Sequence, residues 1–154
     1  MKGSRLALIA MALFIPLTAS NTYAHCQVPC GIYDDETRFK LLDEYVTTIE
    51  KAMKMIGELS AEKPLNYNQI VRWVENKDHQ ADEFSEIITY YFMAQRVKPV
   101  DEKNAEAYSK YVGELTSLHE MIVYAMKAKQ GTDLENVARL RALIKQFKES
   151  YLGK

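Results

Sequence analysis

The 154-residue chain is short of most features that mark a specialised protein class. Its two cysteines exclude a scaffold built on disulfides. Four prolines and six glycines supply no flexible or extended linker, and there is no internal repeat or low-complexity tract. Neither sign of charge dominates: 20 lysines and arginines stand against 21 aspartates and glutamates, so the basic footprint of a nucleic-acid-binding protein is missing. Long apolar runs are missing too. The longest, from Leu6 to Leu17 with Pro16 inside it, is about twelve residues, against roughly 20 for a membrane-spanning helix.

What that run does provide is a leader. Lys2 and Arg5 precede it, the polar stretch "TASNT" follows, and the small Ala24 stands where signal peptidase would cut. The expectation is a signal peptide over 1–24 and a single mature domain over 25–154, exported to the periplasm or beyond the cell, with no membrane segment. A cut after Ala19 competes with it. Losing Lys2 and Arg5 leaves 18 cations against 21 anions, a mild acidity that points to no nucleic-acid partner. A chain of this length can bury its own core.

From Glu36 onward the pattern is helical. Phe39, Leu42, Tyr45, Ile49, Met53, Ile56 and Leu59 recur at the three-and-four spacing of one buried stripe. After "SAEKPLN" a second helix is expected from Asn66, with Asn66 and Gln69 at capping spacing, through Ile70, Trp73 or Val74, Ala81, Phe84, Ile88 and Tyr91. Pro99 stops it, because the residue before a proline disfavours helix. A third helix is expected over about 104–128, with Tyr108, Tyr111, Leu115, Leu118, Ile122 and Ala125 on its inner face. A fourth follows Gly131, capped by Thr132 with Glu135, carrying Leu134, Val137, Leu140, Ile144, Phe147 and Tyr151. The fold class is all-α: an antiparallel four-helix bundle over about 36–151 behind a short N-terminal segment.

That segment, "HCQVPCGIYDD", gathers both cysteines and one of the three histidines immediately after the expected cut. A disulfide is the ordinary use of two close cysteines in an oxidising compartment. Its loop would be tiny and terminal, however, and would constrain little of the unfolded chain. Haem attachment is excluded because Cys-x-x-Cys-His is absent. A structural zinc site needs four side-chain ligands; the cluster has three, and no paired spacing points to His79 or His119 as a fourth. Counting backbone atoms changes the inventory. If His25 is the mature N-terminus, its α-amine, the amide nitrogen of Cys26 and the thiolates of Cys26 and Cys30 make two nitrogens and two sulfurs, with the His25 imidazole as an axial donor. Such a planar set suits Ni(II) or Cu(II). Amidate and thiolate also stabilise the higher oxidation state, which brings a Ni(III)/Ni(II) couple within reach.

The same residues closely resemble the N-terminal metal-binding hook of the nickel superoxide dismutases, His-Cys-x-x-Pro-Cys-Gly-x-Tyr followed by an acid. His25, Cys26, Pro29, Cys30, Gly31, Tyr33 and Asp34 match every fixed position. The likeness extends over the mature chain, through the bundle and the segment "YYFMAQRVKP". It implies a hook over 25–33, one nickel ion per subunit held by His25, Cys26 and Cys30, and Tyr33 at the open face of the metal, with Tyr91 behind it. Pro29 would turn the hook, Gly31 would let the chain leave it, and the chain would assemble as a homo-hexamer. The implied activity is an antioxidant one, converting superoxide to oxygen and hydrogen peroxide. Gln27 replaces the family's frequent aspartate. The family's glutamate and arginine beside the hook imidazole have no evident counterpart; Asp78 and His79 are candidates to replace them. The alternative function is an exported nickel or copper carrier or sensor without turnover.

Overall fold

Helices here begin where a short polar side chain can accept a hydrogen bond from an otherwise unpaired amide. The computed structural model describes residues 28–153. Within it, α1 spans Asp35–Ala61 and is capped by Asp34, whose carboxylate accepts from the Thr37 amide at 2.9 Å and the Thr37 hydroxyl at 2.7 Å. α2, Tyr67–Glu86, is capped by Asn66, which accepts from the Gln69 amide as expected. It continues without a break into a π-helical segment, Ile87–Arg96. α3, Ala105–Gln130, is capped by Asn104. α4, Leu134–Leu152, is capped by Asp133 accepting from the Glu135 amide, one residue later than the Thr132 cap expected from the capping-box spacing.

Consecutive helices pack on one another and α1 closes against α4, so the four form a ring around one core. The cross-links give the directions. Asp35 meets Arg96 and Arg38 meets Tyr91, while Lys51 lies over Trp73, so α1 and α2 with its extension run antiparallel. Glu36 pairs with Lys148, and Glu50 with Arg141. Glu114 meets Ser150, Ser117 meets Gln146 and Glu120 meets Arg139. Short connections between antiparallel neighbours are the up-and-down bundle topology.

The inner stripe of α1 is nearly as its periodicity predicts, with Phe39, Leu42, Val46, Ile49 and Met53 all buried. Three expectations about buried faces need correcting. The first turns of α2 lie open: Val74 is exposed and Trp73 only half-buried, so the helix enters the core at Lys77, Ala81 and Phe84. The inner face of α3 is rotated from the expected one. Glu114, Ser117, Leu118, Met121, Ala125 and Ala128 are buried, while Tyr108, Tyr111, Leu115 and Ile122 flank them half-buried. Glu114 and Ser117 can face inward because Ser150 and Gln146 hydrogen-bond to them. Leu134, expected inside, is exposed as well.

The two ends of the core differ. Where α1 starts and α4 stops, Phe39, Phe92, Phe147 and Tyr151 pack ring on ring with centroids 5.0 to 6.2 Å apart. Towards the other end the side chains are smaller. There Lys77, 2% exposed, donates to the carbonyls of Ala128 and Lys129 at 2.7 Å each and to Asp78 at 2.8 Å. It thereby satisfies the unpaired carbonyls at the negative end of the α3 dipole.

Candidate metal centre

The part of the expected hook within the described residues is the loop from Val28 to Asp34, at the aromatic end of the bundle. Three features make it a tight, exposed turn. The Val28–Pro29 peptide is cis, as a hook turned by Pro29 allows. Gly31 sits at φ 78°, in the left-handed region; a Cβ there would meet no atom within 4 Å, so the backbone conformation, not space, favours glycine. Cys30, between them, is exposed. His25 and Cys26 lie outside the described residues.

Tyr33 closes the loop. Its hydroxyl donates to Gln95 Oε1 at 3.3 Å, its ring lies under the Arg96 guanidinium at 4.5 Å, and it meets the Tyr91 ring edge-on at 5.8 Å. The residue as a whole remains 39% exposed. Gln95, by contrast, is 4% exposed. Its Nε2 donates to the Tyr90 carbonyl at 2.7 Å and to the Val28 carbonyl at 3.3 Å.

Behind this layer lies a cluster that no spacing in the sequence announces. Asp35 accepts from Arg96 through Nε at 2.9 Å and Nη2 at 2.7 Å, from the Tyr91 hydroxyl at 2.7 Å and from the Tyr151 hydroxyl at 3.0 Å. The start of α1, the π-helical segment and the end of α4 are thus tied at one carboxylate. The Arg96 hydrogen bond, more than the two phenols, holds Asp35 below the usual carboxylate range against a modest desolvation. Burial, reinforced by Asp35, pushes the Tyr151 hydroxyl up to about 12 and that of Tyr91 higher still. Both phenols stay protonated and committed to Asp35.

A groove of about 270 Å³ runs from Val28 and Pro29 between α1 and α2, lined by Arg38, Tyr45, Glu83, Glu86 and Tyr91 among others. Arg38 lies 5.0 Å over the Tyr91 ring, and its buried Nε finds no hydrogen-bond partner among the described residues. Asp78 and His79, the candidates for groups beside the hook, lie elsewhere: Asp78 is engaged by Lys77, and His79 is exposed. On a continuous helix they sit about 20 Å along the axis from Tyr91. His119, the other histidine, is also exposed, and the described residues hold no cluster of three or more metal-ligating side chains.

The chain is thus an all-α bundle that presents a cysteine-bearing turn at one end, braced by Tyr33, Tyr91 and the Arg96–Asp35 ion pair. The family model of the nickel-containing superoxide dismutases matches residues 20–154, and the chain belongs to that family. It is accordingly a nickel-dependent oxidoreductase that disproportionates superoxide to oxygen and hydrogen peroxide. No curated protein and no solved structure matches it.

Proposed function

We propose that His25, Cys26 and Cys30 hold the nickel, one ion per subunit, through the α-amine and imidazole of His25, the amide nitrogen and thiolate of Cys26 and the thiolate of Cys30. The donor chemistry fits the metal: anionic sulfur and nitrogen in one short segment suit nickel in a planar set. The carrying observation is the exposed Cys30 on a Pro29–Gly31 turn, next to a tyrosine held against the bundle. Bound there, nickel would exchange one electron with each superoxide by alternating between its divalent and trivalent states.

The chain's own residues do the rest. Tyr33 is the exposed tyrosine on the loop itself, and its O–H, shared with Gln95 Oε1, orders water or superoxide at the loop and can deliver a proton there. Tyr91 and Tyr151, bound to Asp35, keep the support rigid and are withheld from proton transfer. Arg38, Glu83 and Glu86 line the groove that starts at Val28 and Pro29, and they would stand in for the family's glutamate and arginine beside the hook.

Processing belongs to the same proposal. Cleavage by signal peptidase after Ala24 exports the domain 25–154 and frees the His25 amine as a ligand. The mature subunits assemble as a homo-hexamer with hooks inward, which would cover Val28 and Ile32, now 82% and 81% exposed. N-terminal sequencing, nickel analysis and light scattering of the exported protein test these points together. A start at His25, one nickel per chain and six subunits are expected. A start at Ser20 without nickel would sink the proposal.

A further inference from the structure

Among the described residues, Gln95 is the side chain that hydrogen-bonds to both ends of the cysteine-bearing loop. It is buried near the C-terminal end of the π-helical segment, and three of the four hydrogen-bonding positions of its amide are used. One amide hydrogen goes to the Tyr90 carbonyl at 2.7 Å, which fixes the side chain on its own helix. The other goes to the Val28 carbonyl and the oxygen accepts from Tyr33, each at 3.3 Å, on either side of Cys30. Both outer bonds are long for their kind, so each is a light hold. Together they refer residues 28 and 33 to one rigid point. A carboxylate in this place would face two carbonyl oxygens; an aliphatic side chain would leave them without a donor.

We propose that Gln95 is a positioning residue that latches the metal hook to the bundle, setting how long the hook keeps its metal. This rests on the reading of residues 25–33 as the nickel hook. Its place in the chain supports the role. The neighbouring Arg96 stacks on Tyr33 and binds Asp35, so the two consecutive residues divide the work of holding the loop and anchoring the aromatic layer. π-Helical turns recur at functional sites, and here the segment delivers both side chains to the loop.

The test compares the mature protein with Gln95→Leu, Gln95→Glu and Tyr33→Phe. Gln95→Leu removes donor and acceptor at similar volume, Gln95→Glu keeps only the acceptor, and Tyr33→Phe keeps the bond to Val28. In the metal-free proteins, amide hydrogen exchange in the peptide covering 30–33 should quicken about tenfold in Gln95→Glu, the scale of one lost hydrogen bond, and by at least as much in Gln95→Leu, with α3 exchange unchanged as the control for folding. Nickel release into excess chelator should quicken by a similar factor, and the electron paramagnetic resonance lines of the oxidised metal should broaden. Tyr33→Phe should show a clearly smaller change in exchange and release. Wild-type exchange and release in both Gln95 variants would overturn the latch, as would a Tyr33→Phe effect equal to theirs. A wild-type protein that takes up no nickel would instead defeat the hook reading, and the exchange data would still decide the latch.

Discussion

The two ends of the bundle bury polar groups in opposite ways. At one, Lys77 gives its three donors to two carbonyls and a neighbouring carboxylate, and nothing of the cluster reaches beyond the fold. At the other, Asp35 gathers Arg96, Tyr91 and Tyr151, yet the same residues support a further layer, Tyr33 and Gln95, that ends at an exposed loop. The first cluster closes a helix. The second is a platform, and the difference is whether its hydrogen-bonding capacity is spent inside the bundle or handed on to the loop that carries Cys30.

Substitutions at the two ends should therefore separate metal binding from stability. The largest effect is expected for Cys30→Ser: nickel content and superoxide decay fall to background, while the thermal melt of the metal-free protein is unchanged, since Cys30 is exposed and outside the core. Phe92→Ala at the platform should cost about 3–5 kcal/mol in urea unfolding, because its ring is fully buried against four others. It should also loosen nickel. Lys77→Met at the far end should cost about 1–3 kcal/mol by leaving the Ala128 and Lys129 carbonyls unpaired, with nickel release at the wild-type rate. Faster nickel release in Lys77→Met would erase the distinction between the ends.

The smallest effect concerns pH. Asp35 titrates below its ordinary value in the folded protein, so its contribution to stability is present above pH 3.8 and is lost as the pH falls through the depressed folded value. The Tyr151 hydroxyl is raised to about 12 from 10.0, so its contribution is complete below pH 10 and fades towards 12. Asp35→Asn should reduce the dependence at both limits, measured as urea midpoints across pH. Its partial exposure keeps the acid effect modest. An undiminished acid dependence in that variant would assign the effect to other carboxylates, Asp34 first among them.

Much of the fold is legible in the residues because local chemistry decides it. Asn66 caps where its spacing to Gln69 places it, the third helix starts at about residue 104 as its pattern predicts, and the α1 stripe follows its apolar period. The misplaced face of α3 has the opposite cause: Glu114 and Ser117 are polar, and besides local contacts to Lys110 and Gly113 they meet partners 36 and 29 residues away that no spacing announces. The platform was illegible for the same reason. Asp35 lies 61 residues from Arg96 and 116 from Tyr151, and a π-helical segment leaves no periodic mark that would bring Gln95 and Arg96 together at the loop. Of the site, the motif points to His25, Cys26 and Cys30 as the proposed ligands and to the phenol of Tyr33; the support beneath the loop comes from tertiary contacts.

The central claim is that the metal site depends on the free amine of His25 and so comes into being at the cleavage point. It is tested by placing one alanine ahead of His25. Every side chain of the hook survives, but a primary amine with an ordinary pKa of about 7.7–8.0 becomes a peptide amide, a far poorer donor. Circular dichroism should report the same bundle for both proteins, because the core begins at Phe39. With nickel in excess, the protein starting at His25 should hold one ion per chain and consume superoxide, and the extended protein should do neither. Equal nickel content and equal superoxide decay in the extended protein would contradict the account.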